Sequence, residues 1–163
     1  MRTKINFIMI MFMIVLITGC ASTLPPVQVL PPVPPAPSFN REALRYATDS
    51  LLERIPPRST IAINLIDQTG EIADIVYPEL ERLITQKGYQ TVQKSQVDRF
   101  VSSWGRTRSL EFDLEAALRM ENTFKADYYL TAQIVKVGDR KQIRFALHHI
   151  ERVTTVATGT EYI

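Results

Sequence analysis

The stretch DYYLTAQIVKVGDRKQIRFALHHI, residues 127–150, decides the fold. In its first half Tyr128, Leu130, Ala132 and Ile134 point one way, and Tyr129, Thr131, Gln133 and Val135 point the other. That period of two is the signature of a strand. Gly138, Asp139 and Arg140 form a turn, after which Ile143, Phe145 and Leu147 alternate with Arg144, Ala146 and His148. Two strands, 127–137 and 141–150, therefore form an antiparallel hairpin. A third strand is predicted over 155–163. One face of this hairpin is aliphatic and needs a cover.

The upstream sequence supplies one. Asn40 can cap a helix running to about residue 54, with Leu44, Ala47, Leu51 and Leu52 on one stripe and Pro56-Pro57 as its stop. STIAINLI, residues 59–66, reads as a strand buried on both sides. A turn over 67–70 leads to a helix over 72–87 that buries Ile72, Val76, Leu80, Leu83 and Ile84. Gly88 ends it, and Pro78 predicts a kink or a delayed start. A short strand over 89–93 precedes a helix capped by Ser95 and carrying Val97, Phe100, Val101 and Trp104. After the loop RTRSLEF, a last helix over 113–125 carries Leu114, Ala117, Leu118 and Phe124. The order α-β-α-β-α-α-β-β-β predicts an α+β fold. It is a mixed sheet with helices packed mainly on one face, a two-layer sandwich formed by one domain over 40–163.

Residues 1–39 are of another kind. Arg2 and Lys4 precede an apolar run from Ile5 to Ile17, about 13 residues and shorter than the roughly 20 that cross a bilayer. This pattern predicts a secretory signal peptide over 1–19. Leu16-Ile17-Thr18-Gly19-Cys20 resembles a bacterial lipobox, which implies cleavage between Gly19 and Cys20 and acylation of Cys20, the only cysteine. Ala21, where aspartate is absent, resembles the pattern sorted to the outer membrane and facing the periplasm. Residues 20–39 hold seven of the ten prolines, so an extended tether of at most about 60 Å is predicted. A docking strip for an aromatic-lined groove is the other use of such prolines.

Composition narrows the function. Without residues 1–19, basic and acidic side chains number 17 each, so the pI of 8.8 does not mark a nucleic-acid binder. No disulfide is available, and stability rests on one core. His148 and His149, as neighbours on a strand, face opposite ways and cannot share a metal. No metal motif, phosphate-cradling glycine loop or nucleophile elbow accompanies them. Asp67, ending the first strand, is the best-placed carboxylate, yet aspartates in turns are common. The expectation is a non-enzyme without cofactor or metal.

Contact is the better prospect. Tyr129, Thr131, Gln133, Arg144 and His148 would share the sheet face away from the helices, either as a solvated surface or as a partner-binding one. Arg106 and Arg108 form a basic loop beside Trp104, whose place on an apolar stripe suits the core.

Five segments, ALRYATDSLLERI, STIAINLID, YPELERLITQKGYQTVQKSQVDRF, FKADYYLTAQIVKV and QIRFALHHIERVTT, resemble the bacterial lipoprotein superfamily of CsgG, LpoB and FlgO-like proteins. The resemblance covers residues 40–163. Lys125 stands where that group usually has glycine, and Ala132 where its Thr-Gly pair is usual. CsgG-like channels need long insertions that this chain lacks. The LpoB-like layout of lipobox, proline linker and small domain implies a tethered protein that binds and stimulates a peptidoglycan synthase, a penicillin-binding protein. The FlgO-like branch implies a structural outer-membrane lipoprotein that associates with flagella or another surface assembly. Self-association is compatible with either.

Overall fold

The computed structural model describes residues 39–104 and 112–163. Their elements run α1 (Arg41–Leu52), β1 (Thr60–Asp67), α2 (Ala73–Gln86), β2 (Gln90–Thr91), α3 (Lys94–Trp104), α4 (Leu114–Phe124), β3 (Tyr128–Val137), β4 (Arg140–His149) and β5 (Thr154–Tyr162). The strands form one sheet in the order β2-β1-β3-β4-β5. β1 is parallel to both neighbours, while β3, β4 and β5 form an antiparallel meander. The class is α+β with a mixed sheet.

Local chemistry sets the element ends. Asn40 Oδ1 accepts from the backbone of Glu42 and Ala43, each at 3.1 Å, and so starts α1. Asp113 Oδ1 accepts from Ala116 at 2.8 Å and starts α4. Ser95 does not cap α3, because that helix already begins at Lys94 and the Gln93 carbonyl takes the Gln96 and Val97 amides. Pro78 sits inside α2 without delaying its start at Ala73. The β3–β4 turn is tighter than the sequence predicts. Val137 pairs with Arg140, so only Gly138 and Asp139 turn, with Gly138 at φ 61°.

The first face of the sheet carries Ile61, Ile63, Leu130, Ala132, Ile134, Ile143, Phe145 and Leu147. Onto it pack Leu44, Leu51 and Leu52 of α1, and Val76, Leu80, Leu83 and Ile84 of α2. The second face is less bare than strand periodicity predicts. Val97 and Phe100 of α3, with Ala116, Ala117, Met120 and Phe124 of α4, form a second cluster with Ala62 and Tyr129. These helices also have apolar stripes to bury, and α1 and α2 already occupy the first face. Ala62 is small enough to let α3 approach β1. Among the described residues, both clusters lie within the compact unit Ala36–Ile163.

Leu114 and Leu118, expected on the buried stripe of α4, are 59% and 52% exposed. Ala117 and Phe124 of the predicted stripe are buried, and Ala116 and Met120 complete it in place of the two leucines.

Candidate partner-binding face

Strand register arranges the second face in rows. One row is Ala62, Tyr129, His148 and Thr155; the next is Asn64, Thr131, Ala146 and Thr158; the third is Ile66, Gln133, Arg144 and Thr160. Five residues predicted to form a partner-binding surface thus do share a face. They are not equally accessible. Tyr129, Thr131, Gln133 and His148 retain 4%, 1%, 9% and 4% of their surface, and Arg144 alone is exposed. Those four side chains present little surface of their own.

Phe112 explains part of this burial. Its ring stacks on His148 with centroids 4.6 Å apart and on Tyr129 at 6.0 Å. Asn64 Nδ2 donates to the Tyr129 hydroxyl at 2.8 Å, and Thr131 Oγ1 donates to the Ala146 carbonyl at 3.2 Å. Burial pushes the Tyr129 phenol well above its ordinary range. It also drives the His148 imidazole down from 6.5 to about 4. His148 Nδ1 lies 3.0 Å from Thr155 Oγ1, and its buried Nε2 has no hydrogen-bond partner. This row is therefore a neutral, packed support. Phe112 directly precedes the Asp113 cap, the position where an apolar residue often anchors a helix entry. That was the legible signal for it.

The far half of the same face is open. Arg144 Nε donates to Gln142 Oε1 at 3.0 Å, and Arg140 lies over the Tyr162 ring with its guanidinium carbon 4.2 Å from the centroid. Among the described residues neither arginine has an ion-pair partner. Thr158, Thr160 and Tyr162 of β5 are exposed beside them. The sequence pattern hides Arg140 in the turn; the two-residue turn puts it in β4, two positions before Gln142 and on the same side. At the β1 margin, Asn64, Leu65 and Ile66 line a shallow cleft of about 390 Å³ with Lys94, Asp98, Val101 and Ser102 of α3.

The other candidates resolve differently. Asp67 is a structural cap: its carboxylate accepts from the Thr69 amide at 2.8 Å, Thr69 Oγ1 at 2.6 Å, and the Glu71, Ile72 and Ala73 amides at 2.9–3.1 Å. His149 lies on the first face, edge-on to Tyr128 at 5.0 Å. Arg106 and Arg108 lie outside the described residues, as do Gly19, Cys20 and the Trp104 side chain. Among the described residues, no cluster of three His, Cys, Asp or Glu could hold a metal ion, and no helix is long and apolar enough to cross a membrane.

No protein-family model matches the chain, and no curated protein does. Solved structures do match. The LpoB C-terminal domain from Salmonella enterica superposes with a TM-score of 0.60 at 13% identity, over 76% of this chain and 96% of that one. The LpoB C-terminal domain from Escherichia coli gives 0.58 at 12% identity, with the same coverage of 76% and 96%. The solution structure of E. coli LpoB gives 0.58 at 15% identity, over 89% of this chain and 85% of that one. The domain has an LpoB-like fold.

Proposed function

We propose that this chain is a lipid-anchored envelope protein whose domain binds and stimulates a peptidoglycan synthase of the penicillin-binding class, without performing chemistry itself. The observation that carries this reading is the superposition on nearly the whole of the LpoB C-terminal domain, 96% of its length. The lipobox ending at Cys20 and the proline-rich stretch over 20–39 support the anchor. In this reading the chain is cleaved after Gly19, acylated at Cys20 and held at the outer membrane, with the domain facing the periplasm. Each buried acyl methylene contributes about 0.8 kcal/mol, so several chains hold it firmly.

The docking surface in this reading is the open half of the second face, with Arg140 and Arg144 presented to an acidic patch on the partner. Arginine and tyrosine add contact area with a polar tip, which suits them to such surfaces. Tyr129 and His148 support that face from beneath, and Arg106 and Arg108, outside the described residues, stay candidates on sequence alone.

The test is a pull-down from solubilised envelope with tagged 36–163, beside an Arg140→Glu/Arg144→Glu version of it. Enrichment of a penicillin-binding protein that the double substitution abolishes is the expected result. Enrichment of flagellar or other outer-membrane components in its place would make the chain a structural lipoprotein.

A further inference from the structure

Among the described residues β5 is the last strand of the sheet, and no strand lies beside its outer edge. The Ile163 amide donates to the Lys141 carbonyl at 2.9 Å, and the same register pairs Ile143 with Glu161 and Phe145 with Gly159. Antiparallel pairs alternate between bonded and non-bonded. The N–H and C=O groups of Thr158, Thr160 and Tyr162 therefore point away from β4, toward the open edge. Such edges are usually blunted by lysine, proline, a bulge or short length. Residues 157–163 contain no lysine or proline, and the register irregularity lies further back, at Leu147/His148. Glu161 is their only charged side chain.

The three outward residues are spaced symmetrically about Thr160. We propose that this edge pairs with the same edge of a second copy of the chain, antiparallel, with the two-fold axis at Thr160. The occupant follows from self-complementarity. Thr160 meets Thr160, and each Thr158 meets a Tyr162; threonine pairs and aromatic–β-branched pairs are both favourable across antiparallel strands. On the other face Glu161 meets Gly159, so no like charges stand directly opposite. The side chains of Thr158, Thr160 and Tyr162 are already exposed, and α1 flanks only the start of the strand, where Ser50, Leu51 and Arg54 line a pocket with Thr155 and Thr158. The result is an isologous dimer with one continuous sheet. It uses a backbone edge, not the arginines, and stands apart from the activator reading.

Residues 36–163 hold both core clusters and no cysteine, which suits them to the test. Sedimentation and light scattering over rising concentration should show monomer passing to dimer. Thr160→Pro deletes an outward N–H and leaves the β4 ladder intact, since proline is tolerated on an edge strand. It should raise the dimer dissociation constant about tenfold or more, because symmetry removes the bond twice, with an unchanged circular dichroism spectrum. In parallel, Thr160→Cys should cross-link to itself with a short bismaleimide, whereas Tyr46→Cys, exposed on α1, should not. A wild-type domain that stays monomeric at all concentrations would overturn the proposal. So would a dimer indifferent to Thr160→Pro. Slowed amide exchange at Thr158 and Thr160 of a monomeric domain, appearing only when envelope extract is added, would assign the edge to a foreign strand and overturn it equally.

Discussion

Lys125 ends α4 with φ 52° and ψ 37°, a left-handed conformation in which a Cβ is strained. Glycine is usual at this point in the group that the sequence resembles, and the backbone shows the reason. Lys125→Gly should stabilise the domain by about 0.5–1 kcal/mol, read as a higher urea midpoint. His148 makes a pH-dependent prediction. The unfolded chain takes up a proton as pH falls through 6.5, while the folded imidazole resists until about 4. Stability therefore falls with pH across that window and levels off below it. The loss is roughly 2 kcal/mol after allowing for relaxation around the ring. His148→Phe, stacking on Phe112 as the imidazole does, should flatten that part of the profile. Asp67 acts in the same direction, at lower pH. Burial raises its pKa, but hydrogen bonds from Thr69, Ile72 and Ala73 together outweigh it and hold the carboxyl below 3.8. Its contribution is complete above pH 3.8 and is lost as pH falls through the lowered value. Asp67→Ala should cost about 2 kcal/mol at neutral pH, and the gap to the wild type should narrow in acid.

At the scale of elements, α4 separates what periodicity reveals from what it hides. Met120 is fully buried, while Leu118, two positions earlier, is half exposed. Met120→Ala should cost about 2–5 kcal/mol, and Leu118→Ala should stay within about 0.5 kcal/mol; urea unfolding of both separates the two stripes. The larger leucines suggest the wrong stripe, because hydrophobicity alone does not say which side of a short helix meets the sheet. Strands were more legible. The alternation in DYYLTAQIVKV and KQIRFALHH places residues 128–135 and 143–148 on their observed faces, since a one-residue slip would put Ile134 and Ile143 in water. Their burial was not legible. Whether Tyr129 and His148 meet solvent depends in part on Phe112, more than fifteen positions away from either in the chain, and the local pattern that marks Phe112 as a helix anchor does not say which side chains it covers. Arg140 was hidden by the length of a turn.

At the scale of the whole molecule, the proposed function needs a tether and a docking face to cooperate. A proline-rich stretch over 20–39 would reach at most about 60 Å if extended, so anchor and reach are separable from docking. Replacing Cys20 by Ala should release the protein from the membrane fraction while leaving binding by the isolated domain unchanged. Arg140→Glu/Arg144→Glu should do the reverse, keeping the anchor and a native circular dichroism spectrum while losing the partner. The measurement that bears most directly on the central claim is the rate of glycan-strand synthesis by a purified penicillin-binding synthase from the same envelope, with and without residues 36–163. The rate should rise saturably with added domain and should not rise with the double arginine variant. A rate unchanged by the folded wild-type domain, for every synthase of that envelope, would contradict it.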